Sequence, residues 1–127
     1  MRLQFEVVGK PVSNNRVVRR FGNRSVKNPQ AVTYQQRIFQ HAFVAVQQQG
    51  WKTPEACAVT IDAHNVRLDV DNLAKSVLDG MNAAVYGDDR CVIELLTRKL
   101  RDDGEERLVI TVEHREPLSK PKRKRAA

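Results

Sequence analysis

The fold is decided by residues 57–100, which read CAVTIDAHNVRLDVDNLAKSVLDGMNAAVYGDDRCVIELLTRKL. Both ends of this stretch are rich in apolar and β-branched residues, which is typical of strands. In the middle, apolar residues recur at helical spacing and predict a helix that begins at Asp71 or Asn72 and runs to about Val85. Gly87 is well placed to end that helix. A strand, a helix and a second strand in succession indicate a sheet with helices packed on it.

The flanking segments complete the predicted architecture. Strands are predicted over residues 3–7, 57–64, 92–100 and 108–114, and the last two are joined through a turn at 102–104. Asn28 followed by Pro29 resembles a helix N-cap with Pro at the first helical position, and that helix ends at Gly50. Residues 17–27 are rich in Arg and Gly and are predicted to be a loop. We therefore expect an α/β or α+β domain with a small mixed β-sheet and two main helices packed on it.

The overall charge of the chain indicates which class of partner it binds. It carries 22 Lys and Arg against 15 Asp and Glu, with a net charge of +7 and a pI near 9.9. Such a chain is attracted to a polyanion, either nucleic acid or an anionic membrane. No apolar run approaches the length of a membrane span and no signal-peptide core is present, so we expect a cytoplasmic protein with no membrane partner. One domain is expected over residues 1–117, followed by a basic, disordered tail over 118–127.

Basic residues are concentrated in the first third of the chain, where residues 7–54 contain no Asp or Glu. This concentration exceeds ordinary surface mixing and predicts contact with DNA phosphates. The predicted contacts are Asn15, Arg16, Arg19, Arg20, Arg24, Lys27 and Arg67. The alternative is a solvated basic surface without a partner.

Acidic residues are concentrated in residues 69–90, which carry five Asp against one Lys and one Arg, a net charge of −3. Such a patch repels phosphates and would therefore weaken the affinity of a protein that only binds DNA. A bound divalent cation reverses the local sign and removes the conflict. The contrast between the basic first third and this acidic patch therefore indicates an enzyme.

Two pairs of aspartates are candidate ligands for a cation. Asp69 and Asp71 are separated by one residue, so an extended backbone would place both carboxylates on the same face, and Mg²⁺ prefers such oxygen ligands. Asp88 and Asp89 follow the predicted helix at its far end, about 20 Å away. They reach the first pair only if the next strand runs back beside it or if the helix ends early. The structural alternatives are an N-cap at Asp71 and an ion pair between Asp71 and Lys75.

The cysteines and histidines carry less information. Cys57 and Cys91 have no C-x-x-C spacing, and we expect two reduced, buried thiols. The three histidines are scattered, and only His64 lies close enough to Asp69 in sequence to be a minor candidate ligand.

Taken together, the motifs of residues 3–114 resemble the RusA family of endodeoxyribonucleases. Residues 69–75, 79–82 and 88–92 read DVDNLAK, DGMN and DDRCV, and they resemble the D-x-D-N-x-x-K, D-x-x-N and D-D-x-x-V signatures of that family. Residues 11–16, PVSNNR, resemble its Pro-x-S-x-N-R element. The family often has Gln where this chain has Cys91, so the sequence preference at the junction remains open. The order and spacing of several motifs make this resemblance far more specific than any one of them.

The resemblance implies a homodimeric Holliday-junction resolvase that nicks two strands of a four-way DNA junction symmetrically. It further implies dependence on Mg²⁺, with Mn²⁺ as a substitute, and a bacterial, prophage or phage source. The implied catalytic residues are Asp69, Asp71, Lys75 and Asp89. The implied metal ligands are Asp69, Asp71, Asp89 and Asp88, with Asp79 as a supporting residue.

Other functions stay open at this point. One is a non-catalytic protein that binds branched DNA, and another is a nuclease that acts on flaps, replication forks or RNA. For the resolvase we expect water to attack the phosphate in line without a covalent enzyme intermediate, because no Ser/His or Cys/His arrangement competes as nucleophile. A small-molecule metallohydrolase fits poorly with the acid-free first third.

Overall fold

The computed structural model describes residues 1–12, 17–21, 24–27 and 29–119, with side chains described for residues 1–12 and 29–119. The elements in chain order are β1 (Arg2–Val8), β2 (Val17–Phe21), β3 (Arg24–Lys27), α1 (Pro29–Gln49), β4 (Ala56–His64), α2 (Val70–Met81), a short 3₁₀ helix (Asp89–Cys91), β5 (Val92–Leu100) and β6 (Arg107–Arg115).

Four of the strands form one mixed sheet in the order β1-β6-β4-β5. Strand β6 is antiparallel to both β1 and β4, whereas β5 is parallel to β4. Helix α2 supplies the crossover that parallel neighbours require. The predicted α+β class, with a small mixed sheet and two main helices, is confirmed.

The hydrophobic core lies between one face of the sheet and the two helices. Strand β1 alternates between buried and exposed positions, as a half-covered strand does. The largest fully buried side chains come from both helices, from β1, β4 and β6, and from the turn after α2: Leu3, Val7, Ile38, Val59, Ile61, Leu73, Val77, Met81, Val85, Tyr86, Leu108 and Ile110. Burying each Leu or Ile contributes roughly 1.5–3 kcal/mol, so this layer fixes how α2 lies on the sheet.

The prediction of a loop over residues 17–27 was wrong. Strands β2 and β3 pair with each other as a separate antiparallel ribbon. The many Arg residues suggested an irregular surface segment, yet the β-branched Val17, Val18 and Val26 favour a strand. The predicted helix cap at Asn28 and the tail from residue 120 onward lie outside the described residues.

Helix α2 differs from its prediction at both ends. It begins at Val70, so Asp69 rather than Asp71 occupies the N-cap position. It ends at Met81 instead of Val85, because Ala83 adopts a left-handed backbone with φ 69° and turns the chain. Val85 continues the apolar pattern because it is buried in this turn, and Gly87 is therefore not the helix terminator.

The last two strands are connected differently from a simple hairpin. Strands β5 and β6 are not neighbours, since β4 lies between them. The turn at 102–104 belongs to a connection that passes the end of β4. Within the described residues, no helix is both long and apolar enough to cross a membrane.

The contact between the two helices gives a testable prediction about stability. A Cβ atom added at Gly80 would lie 2.7 Å from Ile38 Cγ2 and 3.3 Å from the carbonyl oxygen of Gln35. Overpacking costs about 1–3 kcal/mol, and the better helix propensity of Ala offsets about 1 kcal/mol of it. We expect Gly80→Ala to lower the free energy of unfolding in urea by about 1 kcal/mol. Gly87→Ala is the matched control, because open space surrounds that position, and a change as large there would contradict the explanation.

Candidate active site

Strand direction gathers several segments at one edge of the sheet. Strands β1, β4 and β5 all run the same way, so their last residues lie at a common edge, which we call the carboxyl edge; the opposite one is the amino edge. The chain that contains the β2–β3 ribbon leaves the sheet here, after β1. Its first part is held against α2, because the Ser76 hydroxyl donates a hydrogen bond to the Val12 carbonyl at 3.2 Å.

The first pair of candidate ligands lies at the carboxyl edge. Asp69 and Asp71 are in the N-terminal turn of α2, and both are exposed, as is Lys75 one turn later. The premise of an extended backbone fails at Asp71, which is helical. In the described structure the Asp69 side chain makes no capping hydrogen bond, although it occupies the N-cap position. Its carboxylate therefore accepts no hydrogen bond from the backbone N–H groups at the start of α2.

A basic groove is formed by residues that come shortly before Asp69 in the sequence, together with the end of β5. It has a volume of about 550 Å³ and is lined by Asn65, Val66, Arg67, Lys99, Leu100, Arg101 and Asp102. The Lys99 ammonium donates a hydrogen bond to the Arg67 carbonyl at 3.2 Å, which fixes this loop to the end of β5. Sequence reasoning selected Arg67 but missed Lys99 and Arg101, although the run of basic residues at 98–101 was a signal. Three cations in an open groove can bind a phosphate backbone.

The acidic residue that lines the groove, Asp102, interacts through its carboxylate with neighbouring side chains. Its carboxylate accepts hydrogen bonds from Arg107 at 2.6 Å and from the Asn65 amide at 2.8 Å, and it lies 3.0 Å from His64 Nδ1. Hydrogen bonding from Arg107 first, then from the Gly104 N–H and Asn65, holds the Asp102 pKa well below its usual range. His64, the minor candidate ligand, faces this carboxylate.

This network predicts a pH-dependent contribution to stability. Because the Asp102 pKa is lowered on folding, its charge stabilises the fold above the unfolded carboxyl pKa of 3.8 and ceases to do so as the pH falls toward the folded value. We expect Asp102→Asn to unfold at lower urea concentration than the wild type at about pH 7, and the difference to narrow at about pH 3. If the wild type and Asp102→Asn differed equally in urea stability at both pH values, the effect would arise from altered packing and not from the charge of Asp102.

Three further aspartates lie at the other end of α2. Asp79 is in the last turn, and Asp88 and Asp89 come just before β5. Asp88 accepts a hydrogen bond from the Arg90 N–H at 3.2 Å, which caps the 3₁₀ helix and lowers the Asp88 pKa. Hydrogen bonding to Asp88, then desolvation and the charges of Asp88 and Asp79, raise the pKa of Asp89. These carboxylates form one local acidic group.

The two groups of aspartates lie at opposite edges of the sheet. Cys57 of β4 pairs with Val92 of β5, which puts Asp89 at the amino edge. Asp69 and Asp79 are ten residues apart along α2, about 15 Å, whereas two oxygens on one Mg²⁺ lie within about 4 Å. Among the described residues, no three His, Cys, Asp or Glu side chains are grouped so that they could hold a metal ion. One chain therefore does not bring Asp89 to Asp69 and Asp71.

Comparison with known families places these motifs in context. The profile of a family described as endodeoxyribonuclease RusA matches residues 8–113. The chain belongs to the RusA family. The match covers most of the chain and includes both groups of aspartates as well as the β2–β3 ribbon. A comparison with individual curated proteins finds no match. RusA membership indicates a DNA endonuclease.

The DNA contacts predicted for this RusA chain are described only in part. Asn15 and Arg16 lie outside the described residues. The backbones of Arg19, Arg20, Arg24 and Lys27 belong to the β2–β3 ribbon, and their side chains are outside the described set. Arg67 is exposed at the basic groove.

The cysteines of this RusA chain lie together, and the prediction that both are buried is wrong for Cys91. Both are free, and their Sγ atoms are 3.8 Å apart. Cys57 is buried, which raises the pKa of its thiol to about 12, whereas Cys91 is only half-buried. The sequence spacing gave no signal for this contact, because it depends on the pairing of β4 with the start of β5.

Proposed function

We propose that this chain is a Mg²⁺-dependent Holliday-junction resolvase that cuts DNA at its carboxyl edge. The observation that carries the proposal is the position of exposed Asp69 and Asp71 directly beside the groove that contains Arg67, Lys99 and Arg101. Carboxylates alone repel a phosphate, and cations alone bind DNA without cutting it. Their combination at one edge supports hydrolysis of a phosphodiester.

The residues at this end of α2 fit a hard cation. Magnesium is commonly held by one or two carboxylates together with substrate phosphate and water, and Asp69 and Asp71 supply such oxygens. When bound, the cation activates water and neutralises charge on the phosphate. Mn²⁺ accepts the same oxygen ligands and substitutes for it.

The surrounding side chains bind and orient the DNA. Arg67 and Lys99 contact phosphates that flank the scissile bond, since both line the groove. Lys75, exposed one turn after Asp71, balances negative charge that develops on the cut phosphate. The β2–β3 ribbon extends this surface, because its root at Val12 is bonded to Ser76, the neighbour of Lys75.

The second group of aspartates enters the site from another copy of the chain. Asp89 and Asp88 are at the wrong end of α2 for a cation held by Asp69 and Asp71 of their own chain. A homodimer presents each group twice, and a twofold axis suits a four-way junction, which offers two equivalent cuts. In this proposal Asp69 and Asp71 of one protomer act with the partner's Asp89, and Asp88 assists. A chain of bacterial, prophage or phage origin would meet this DNA substrate in the bacterial cytoplasm.

The test is cleavage of a labelled four-way junction with Mg²⁺, with Mn²⁺ and with EDTA. We expect symmetrical paired nicks in both metal arms and none with EDTA. Junctions bound but uncut in every arm would favour a non-catalytic branched-DNA-binding protein, which is the second candidate because the described residues of one chain contain no complete group of ligands. Faster cleavage of flaps or forks than of the junction would identify a different branched-DNA nuclease.

A further inference from the structure

A pocket lies between the end of β1 and the first turns of α1, at the carboxyl edge of the sheet. It has a volume of about 340 Å³ and shares no lining residue with the basic groove. Its lining consists of Lys10, Val12, Pro29, Gln30, Thr33, Tyr34 and Arg37. The chain leaves for the β2–β3 ribbon after Val12 and has returned from it at Pro29. The pocket therefore lies at the base of the ribbon.

The pocket carries positive charge that no described carboxylate neutralises. Lys10 is exposed and Arg37 is half-buried, and neither forms an ion pair with an Asp or Glu of the described residues. The sequence explains this, because residues 7–54 contain no acidic residue. The first turn of α1 therefore has none either, and the positive end of the helix dipole adds to the potential. Such a pocket is suited to an anion.

The guanidinium of Arg37 is fixed by the backbone at the end of β1. Its Nη2 atom donates a hydrogen bond to the Val8 carbonyl at 2.6 Å. It also lies against Gly9, where an added Cβ atom would be 3.2 Å from Nη1. Gly9 has a φ of 118°, a conformation that favours glycine. Because a guanidinium has five N–H donors, this contact positions Arg37 and leaves donors for the oxygens of a ligand.

Tyr34 lines the pocket, and its hydroxyl has no hydrogen-bond partner among the described residues. The residue is only 3% exposed. Buried hydroxyls nearly always have a partner, and an unpaired one costs free energy. Burial raises the pKa of the Tyr34 phenol, against the opposing effect of the Arg37 charge, so the group stays protonated and can donate. An anion with oxygen atoms beside Arg37 would supply the acceptor that the hydroxyl lacks.

We propose that this pocket binds a phosphate group through Lys10, Arg37 and the Tyr34 hydroxyl. The inference rests on the proposed function for the source of the phosphate, which is the backbone of the DNA substrate. Position favours this source, because the Val12 carbonyl at the pocket accepts a hydrogen bond from Ser76, the neighbour of Lys75. A strand that reaches the aspartates of the carboxyl edge thus has this pocket beside it. The other source of the same chemistry is free phosphate or a nucleotide.

The salt dependence of junction binding tests the proposal. Binding is titrated in EDTA, so the measurement needs no cleavage. Each phosphate contact that is lost lowers the slope of log affinity against log salt concentration by about 0.9, and we expect Lys10→Gln to lower it by that amount. Lys52→Gln is the matched control. Lys52 is also exposed but lies at the amino edge beside His114, so this variant keeps the wild-type slope.

Tyr34→Phe separates binding from folding. It removes only the hydroxyl, which has no described partner, so we expect the free energy of unfolding in urea to stay at the wild-type value or to rise. Junction affinity falls about tenfold, because the hydrogen bond to a charged phosphate is lost. A lower free energy of unfolding with unchanged junction affinity would show that the hydroxyl is structural, and it would contradict the proposal.

A titration with inorganic phosphate identifies the source. A lower salt slope for Lys10→Gln assigns the pocket to DNA. Equal slopes, with a phosphate-dependent rise in melting temperature that the wild type shows and Lys10→Gln lacks, assign it to free phosphate. Equal slopes and equal melting temperatures overturn the proposal, even if the wild type cuts junctions. A lower slope for Lys10→Gln in a chain whose wild type cuts no junction supports the pocket and contradicts the proposed function alone.

Discussion

Asp71→Asn is expected to abolish Mg²⁺-dependent cleavage of a four-way junction while junction binding persists or tightens. Loss of a ligand that positions the cation costs several kcal/mol of transition-state stabilisation, about a thousandfold in rate. Binding survives because the substitution removes a negative charge next to the groove that contacts phosphates. The measurements are single-turnover cleavage and a binding titration in EDTA.

The controls for this variant separate chemistry from folding. Asp71 is exposed in the first turn of α2, so the loss of its favourable contact with the helix end is limited to about 0.3–1 kcal/mol. The variant therefore stays folded. Glu116→Gln removes an exposed carboxylate outside α2 and its flanking turns, and cleavage by it stays at the wild-type rate. Cleavage by Asp71→Asn within tenfold of the wild type would remove Asp71 from the mechanism.

A mixture of two inactive variants is expected to regain activity. Homodimers of Asp71→Asn and of Asp89→Asn each lack a ligand in both sites. In a mixed dimer, the intact Asp71 comes from the Asp89→Asn subunit and the intact Asp89 from the Asp71→Asn subunit, so one of the two sites is complete. About half of the dimers are mixed after subunit exchange, and we expect about a quarter of the wild-type nicking activity. Most of the products carry a single nick.

The matched control is a mixture of Asp71→Asn with Asp69→Asn. Both changes fall in the same group of aspartates, so every site in the mixed dimer has one defect and activity does not return. Recovery in this control would mean that aspartates 69 and 71 act in different sites. No recovery in the first mixture, with subunit exchange confirmed by mass spectrometry, would show that Asp89 acts within its own chain or outside the site.

Local patterns in the sequence predicted the elements that surround the core. Helix α2 and strands β4 and β5 follow from periodicity, because their apolar residues repeat at intervals of the structure that buries them. The end of α2 was placed four residues too late, since Val85 is buried by a turn and not by the helix. Periodicity cannot distinguish these two causes of burial.

Features that depend on distant pairing were not predictable. The position of β4 between β5 and β6 is set by contacts between residues far apart in the chain. The same pairing brings Cys57 to Cys91 and gathers Lys99 and Arg101 beside Arg67. It also separates Asp89 from Asp69. The motif order indicated which residues belong to the family's chemistry, but only the strand directions show which of them share an edge.

The pairing of β1 with β6 has a consequence for biosynthesis. These are the first and last of the strands that the structure describes, with Arg2 opposite Glu113 and Val8 opposite Arg107. A nascent polypeptide therefore keeps Leu3, Phe5 and Val7 without their hydrogen-bonded neighbour until β6 has left the ribosome. Chains that depend on non-local strand pairing of this kind fold slowly and populate aggregation-prone intermediates with exposed apolar surface. We expect fragments that stop before residue 107 to aggregate or to be degraded.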